Sequence, residues 1–74
     1  TAAEQLRAGT AVPRRELQPG DLVFMRLQRD LHVGIVTASG FFVHAPSTRG
    51  HVRIDWLDAA PYSKGFIAAR RLWR

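Results

Sequence analysis

Hydrophobic and polar residues alternate along most of the chain with the short period of β-strands. Segments rich in β-branched and aromatic residues lie between clusters of Gly, Pro, Ser and polar residues, which is typical of strands joined by turns. On this basis the pattern predicts five strands, at residues 22–24, 32–37, 41–45, 52–55 and 65–74.

The first residues predict a short helix. Thr1 precedes a run of good helix formers and Glu4 stands three residues later, which is the pattern of a capping box. Gly9 is a suitable stop, so we place the helix end near Ala8. The predicted fold class is therefore α+β: a short N-terminal helix followed by a five-strand antiparallel meander or half-barrel.

The loop between the second and third predicted strands decides which side chains share a face. A three-residue loop, residues 38–40, would place Gly40 in the left-handed conformation that glycine favours. In that register the apolar odd-numbered residues of both strands stack as the core face, and the even-numbered residues share the other face. A two-residue loop would split the apolar set between the two faces, so the three-residue loop is the prediction.

Two histidines, His32 and His44, stand on the two strands of this hairpin. The register pairs Ile35 with Val43. It also places His44 opposite Gly34 and diagonal to His32, within side-chain reach. We therefore expect the two imidazole rings to meet over the open space that Gly34 leaves.

A pair of histidines admits three interpretations. They could be incidental, half-exposed side chains near a strand end. They could bind zinc, but His51, Asp30 and Asp55 are then the only candidate helpers, and the chain has no HxH, HxxxH or cysteine spacing. They could be the general base and orienting residue of a nucleophilic enzyme. For that third interpretation the nucleophile is missing, because the chain has no cysteine and its serines stand in turns.

Four segments in order, ELQPGDLVF, HVGIV, FVHAP and FIAARRL, resemble the C-terminal part of an NlpC-type peptidase domain. The resemblance runs from Thr1 through Arg71 and keeps the spacing between the two histidines. It implies that His32 matches the catalytic base and His44 the third, orienting residue of a papain-like cysteine peptidase. The family's nucleophile is a cysteine at the start of a helix, upstream of the segment that TAAEQ resembles.

By this resemblance, residues 1–74 are a single partial domain, the sheet half of the peptidase without its nucleophile-bearing helix. The implied function is that of part of a peptidoglycan hydrolase, an endopeptidase that cuts stem peptides in the bacterial cell envelope, periplasmic or extracellular. It implies no cofactor and no metal, and the chain alone should be inactive. A missing N-terminal segment or a second chain is expected to cover the even-numbered face, which carries Val36 and Phe42.

Charge and hydropathy limit the partners. Eleven basic residues against six acidic ones give a net charge of +5, which suits anionic wall material. The basic residues are scattered and do not alternate with aromatic ones, so nucleic acid is not an expected partner. No apolar run approaches the roughly 20 residues that span a bilayer. The alternative function is a non-catalytic β-sheet module that binds cell-wall or another anionic polymer, and a cysteine encoded upstream of Thr1 would argue against it.

Overall fold

The computed structural model describes residues 1–45 and 51–73, and no helix in these ranges is long and apolar enough to cross a membrane. The described residues form two short helices, α1 (Ala2–Gln5) and α2 (Tyr62–Gly65), and a 3₁₀ turn at Arg14–Glu16. They also form six strands, β1 (Thr10–Ala11), β2 (Leu22–Leu27), β3 (Asp30–Ala38), β4 (Phe41–His44), β5 (Arg53–Trp56) and β6 (Phe66–Arg71).

The six strands make one antiparallel sheet in the order β1-β6-β2-β3-β4-β5. Strands β2 to β5 follow one another as the predicted meander, but β6 returns across the sheet to lie between β1 and β2. The prediction of five strands is therefore one short. Strand β1 carries no local pattern of its own, because its two residues become a strand only by pairing with Arg70 and Arg71.

Helix α1 has the predicted capping box. The Thr1 hydroxyl accepts a hydrogen bond from the Glu4 amide at 3.2 Å, and the Thr1 amino group donates to the Glu4 carboxylate at 2.7 Å. The helix ends at Gln5 rather than near Ala8. The chain has to turn early because β1 begins at Thr10. Gly9, at φ +67°, makes that turn so close to β6 that an added Cβ would lie 2.2 Å from a backbone oxygen.

The core lies on the even-numbered face of β3 and β4, so the predicted core face is wrong. Val36 and Phe42 are 3% and 0% exposed, whereas Ile35 and Phe41 on the odd-numbered face are each 44% exposed. The apolar side chains packed on the inner face come from five further places in the chain: Val12, Val23, Met25, Leu57 and Ala69. The face expected to lack a cover is thus already covered, partly by Leu57, which follows β5.

The outer face is apolar, and it is open along β3 to β5 but not at β2, where Leu22 and Phe24 are buried. Because side chains alternate along each strand, this face carries the exposed residues of three neighbouring strands: Ile35, Phe41, Ile54 and Trp56. Phe41 and Trp56 stack on each other with ring centroids 6.2 Å apart. The even-numbered face that the prediction named is therefore the core face, and the statement that a further segment or chain covers the sheet stays a prediction.

A buried ion pair joins the start of β2 to the end of β6. Asp21 is fully buried and accepts hydrogen bonds from Arg71 Nε at 2.8 Å and Arg71 Nη2 at 2.9 Å, and from the Gln18 amide at 2.8 Å. The Arg71 hydrogen bonds are the main cause that lowers the pKa of Asp21 below its ordinary 3.8, although burial acts against them. The Asp21–Arg71 pair therefore links β2 and β6, which are distant along the chain.

Replacing Asp21 with Asn should lower the free energy of unfolding by about 3 kcal/mol, because the Arg71 guanidinium loses its charged partner at a buried site. Urea unfolding measures the loss. Asp30→Asn, an exposed acid on β3, is the matched control and should stay within about 0.5 kcal/mol of the parent. Equal losses in the two variants would contradict this account of the pair.

Candidate active site

The β3–β4 hairpin positions the two histidines. Ile35 pairs with Val43 as predicted, and Gly40 has the predicted positive φ, at +82°. The turn itself differs from the prediction. It contains Ser39 and Gly40 only, and an irregularity between Val36 and Ala38 takes up the extra residue. The short turn therefore does not split the even-numbered residues between faces.

The two imidazoles are in direct contact, as the register predicts. His32 Nε2 and His44 Nδ1 are 2.6 Å apart, and the rings meet edge to face with an interplanar angle of 83°. His44 is 5% exposed, whereas His32 is half-buried. The space over Gly34 is not open: the Phe42 ring fills it, and an added Cβ on Gly34 would lie 2.5 Å from Phe42 Cδ2.

A carboxylate continues the row of histidines. Asp55 Oδ2 lies 2.6 Å from His44 Nε2, so that β3, β4 and β5 contribute one member each. The same oxygen accepts a hydrogen bond from Tyr62 at 3.1 Å and lies 2.7 Å from Arg53 Nε, while Asp55 Oδ1 accepts from Arg53 Nη2 at 2.9 Å. Arg53 and Tyr62 are hydrogen-bond donors to this carboxylate, and its third partner is a ring nitrogen of His44.

The contact of Asp55 with His44 is not predicted from the sequence, which indicates Asp55 only as a candidate metal helper. The signal that could have found it is the β4–β5 pairing, which sets Phe42 opposite Asp55 and His44 opposite Arg53. That register depends on a connection between strands that shows no turn signature as clear as Ser39–Gly40. The ring of Tyr62 packs on His44 from α2 with centroids 5.1 Å apart.

Aromatic rings fix the orientation of the buried histidine. Phe42 stacks on His44 at 4.5 Å between centroids and 30° between planes, and Tyr62 meets the same ring edge-on at 80°. With both nitrogens of His44 hydrogen-bonded as well, its ring has no freedom to turn. The His44 ring is therefore held both by its aromatic neighbours and by its hydrogen bonds to His32 and Asp55.

Burial and hydrogen bonding shift the pKa values of the group. Burial, and then the neighbouring His44, lower the pKa of His32 below its ordinary 6.5, which favours the neutral base. Burial acts to raise the pKa of Asp55, but the hydrogen bonds from His44, Arg53 and Tyr62 outweigh it and hold the pKa below 3.8. Burial, followed by the hydrogen bond to Asp55, raises the pKa of Tyr62 above 10.0.

The geometry suits proton transfer better than metal binding. Within residues 1–45 and 51–73, no three His, Asp or Glu side chains are grouped so that they could hold a metal ion. The facing nitrogens of His32 and His44 are directed at each other instead of at a common point. A cavity of about 230 Å³ lies on the other face of the sheet, where Val33, Ile35 and Val43 line it.

The chain matches known proteins over nearly its whole length. The profile of the NlpC/P60 family matches residues 1–71. The probable endopeptidase NlpC of Escherichia coli (strain K12) is 40% identical, over 93% of this chain and 46% of that protein. The γ-D-glutamyl-L-lysine dipeptidyl-peptidase of Bacillus subtilis (strain 168) is 32% identical, over 95% of this chain and 25% of that protein.

A solved structure agrees with the sequence matches. The crystal structure of an NlpC/P60 family protein from Bacillus cereus ATCC 10987 superposes with a TM-score of 0.80 and 32% identity, covering 92% of this chain and 24% of that one. The chain belongs to the NlpC/P60 family. It spans less than half the length of the curated relatives it matches here. The roles of His32 as base and His44 as orienting residue stay predictions.

Gly34→Ala should destabilise the chain by about 1–3 kcal/mol, because the added methyl group overlaps the Phe42 ring and the Val43 carbonyl in a packed sheet. Urea unfolding measures this. Ser39→Ala, in the exposed hairpin turn, is the control and should change the free energy of unfolding by less than about 0.5 kcal/mol. A Gly34→Ala variant as stable as the control would mean that Phe42 can move away without loss.

Acidification should weaken the fold through His32. Because its folded pKa is depressed, the unfolded chain binds more protons than the folded one below the ordinary value of 6.5. The free energy of unfolding therefore falls as the pH is lowered through 6.5 and recovers as it is raised. His32→Gln should flatten this slope in urea unfolding between about pH 7.5 and 5, and His51→Gln should not. An unchanged slope in His32→Gln would contradict the assignment.

Proposed function

We propose that this chain is the sheet half of a peptidoglycan-cleaving cysteine endopeptidase, to which it contributes the general base His32 and the orienting residue His44. The observation that carries the proposal is the 2.6 Å contact between His32 Nε2 and His44 Nδ1, in which the second ring is buried and anchored. Membership of the NlpC/P60 family and relatives named as endopeptidases support it. The nucleophile in this proposal is a cysteine outside residues 1–74.

The proposed reaction is amide hydrolysis through a thioester. The cysteine thiol gives its proton to the nitrogen of His32 that faces away from His44, Nδ1, and the sulfur attacks the carbonyl carbon of the stem peptide. The C–N bond breaks as His32 passes that proton to the leaving amine. Water then attacks the thioester, His32 takes its proton and returns it to the departing sulfur, and the acid and the thiol are released.

We propose an amide of the stem peptide as the substrate, with the γ-D-glutamyl to diaminopimelate link as the first to test. One relative is named for cleavage at γ-D-glutamyl-L-lysine and another as a murein DD-endopeptidase, which supports this substrate class. The net charge of +5 suits an anionic wall. The proposed location is accordingly the bacterial envelope or the cell exterior.

The test compares the chain alone with the protein as encoded, including whatever precedes Thr1, on a γ-D-glutamyl-diaminopimelate peptide. The chain alone should release no amine, because it has no cysteine. The encoded protein should hydrolyse the peptide and lose this activity to a thiol-blocking reagent. His32→Ala should lower kcat/KM by about 1,000-fold and His44→Ala by about 100-fold.

His51→Ala is the matched control, since it removes an exposed histidine from another part of the chain, and it should leave kcat/KM unchanged. Thiol-dependent hydrolysis by the chain alone would refute the division of roles. An encoded protein without a cysteine before Thr1, which binds wall polymer but does not cleave it, would favour the alternative of a binding module.

A further inference from the structure

Asp55 ends the row of side chains that begins at His32, and its surroundings determine where the protons lie. Its side chain is 15% exposed. Arg53 contacts both carboxylate oxygens, the Tyr62 hydroxyl donates to Oδ2, and the third partner is the ring nitrogen Nε2 of His44. Burial acts to raise the pKa of Asp55, but the Arg53 guanidinium on both oxygens and the hydrogen bonds with His44 and Tyr62 hold it below its ordinary 3.8. Asp55 is therefore an ionised acceptor.

The ionised carboxylate dictates the tautomer of the buried histidine. At 2.6 Å from Asp55 Oδ2, His44 Nε2 has to carry the hydrogen, because the carboxylate has none to give. A neutral imidazole has one N–H only, so Nδ1 of His44 holds a lone pair. The 2.6 Å contact with His32 then requires that His32 Nε2 be the donor.

The remaining ring nitrogen of the row is Nδ1 of His32. With its hydrogen on Nε2, a neutral His32 has a bare Nδ1, directed away from His44. We propose that Asp55 is a positioning residue that sets the proton order of both histidines, so that Nδ1 of His32 is the atom that accepts a proton. The catalytic part of this inference rests on the proposed function, whereas the proton order does not.

Two neighbours support Asp55 in this role. Arg53 contacts both carboxylate oxygens, and Tyr62 adds a hydrogen bond from α2, so the charge of Asp55 is balanced and its position held. The titratable groups of the cluster are thus His32 and His44, Asp55 and Arg53, and Tyr62.

The first test reads the tautomers directly in the chain labelled with ¹⁵N-histidine. At about pH 8, where histidine is neutral, the ring nitrogen shifts of His32 and His44 should both report a protonated Nε2 and a bare Nδ1. Asp55→Asn should convert His44 to a mixture of tautomers, and Asp55→Glu should restore part of the Nε2–H form. Asp30→Asn, an exposed acid, should leave both shifts unchanged.

A wild-type spectrum with the hydrogen on Nδ1 of either histidine would overturn the inference, and this reading needs no variant. If Asp55→Asn does not fold, Tyr62→Phe provides a second reading. It removes one hydrogen bond to Asp55 but leaves the carboxylate and Arg53 in place, so the Nε2–H form should persist. Loss of that form in Tyr62→Phe, with the fold intact, would mean that Asp55 does not set the tautomer.

The second test uses the encoded protein and its thiol-dependent hydrolysis. Asp55→Asn should lower kcat by about 10- to 100-fold with KM nearly unchanged, and should move the acidic limb of the pH profile. Full kcat in Asp55→Asn would refute the catalytic part of the inference. If the wild-type protein shows no hydrolysis while the tautomers are as expected, the proposed function fails and the proton order stands.

Discussion

The register of β3 against β4 is the constraint on which both the site and the core depend. Ile35 pairs with Val43, and the two histidines meet on the inner face as a consequence. Because side chains alternate, a shift of one residue would send His44 to the opposite face and separate the rings. The irregularity between Val36 and Ala38 keeps this register although the turn is short.

A row of polar side chains inside a small apolar core is stable only if its hydrogen bonds are complete. Among the described residues, every buried side-chain nitrogen or oxygen has a partner. The row ends on Asp55, whose charge is met by the exposed Arg53 and is not left alone in the interior. Phe42 belongs to the core and stacks on His44 as well, so a change that loosens the core also loosens the site.

The features that the sequence predicts correctly are those that local residues determine. The strands β2 to β5, the capping box of α1, the positive φ of Gly40 and the contact between the histidines all follow from patterns within a hairpin or a helix turn. The choice of the core face does not follow from such local patterns. The odd-numbered set of β3 and β4 is the more apolar one, because the even-numbered set contains both histidines and Gly34, so the local pattern indicates the wrong face.

The choice of face is made by residues far along the chain. Leu57 and Tyr62 pack on the even-numbered face, and β6 pairs with β2 across more than half the sequence. The place of Asp55 likewise depends on the pairing of β5 with β4, which a reading of single segments does not contain. These contacts are tertiary, so a local sequence pattern does not predict them.

One member from each of three successive strands gives the row a particular rigidity. His32, His44 and Asp55 lie diagonally across the sheet, since the register sets Arg53 opposite His44 and Phe42 opposite Asp55. Their spacing is therefore set by the registers of β3, β4 and β5. Strand pairing and the two 2.6 Å contacts therefore order His32, His44 and Asp55 within the chain itself.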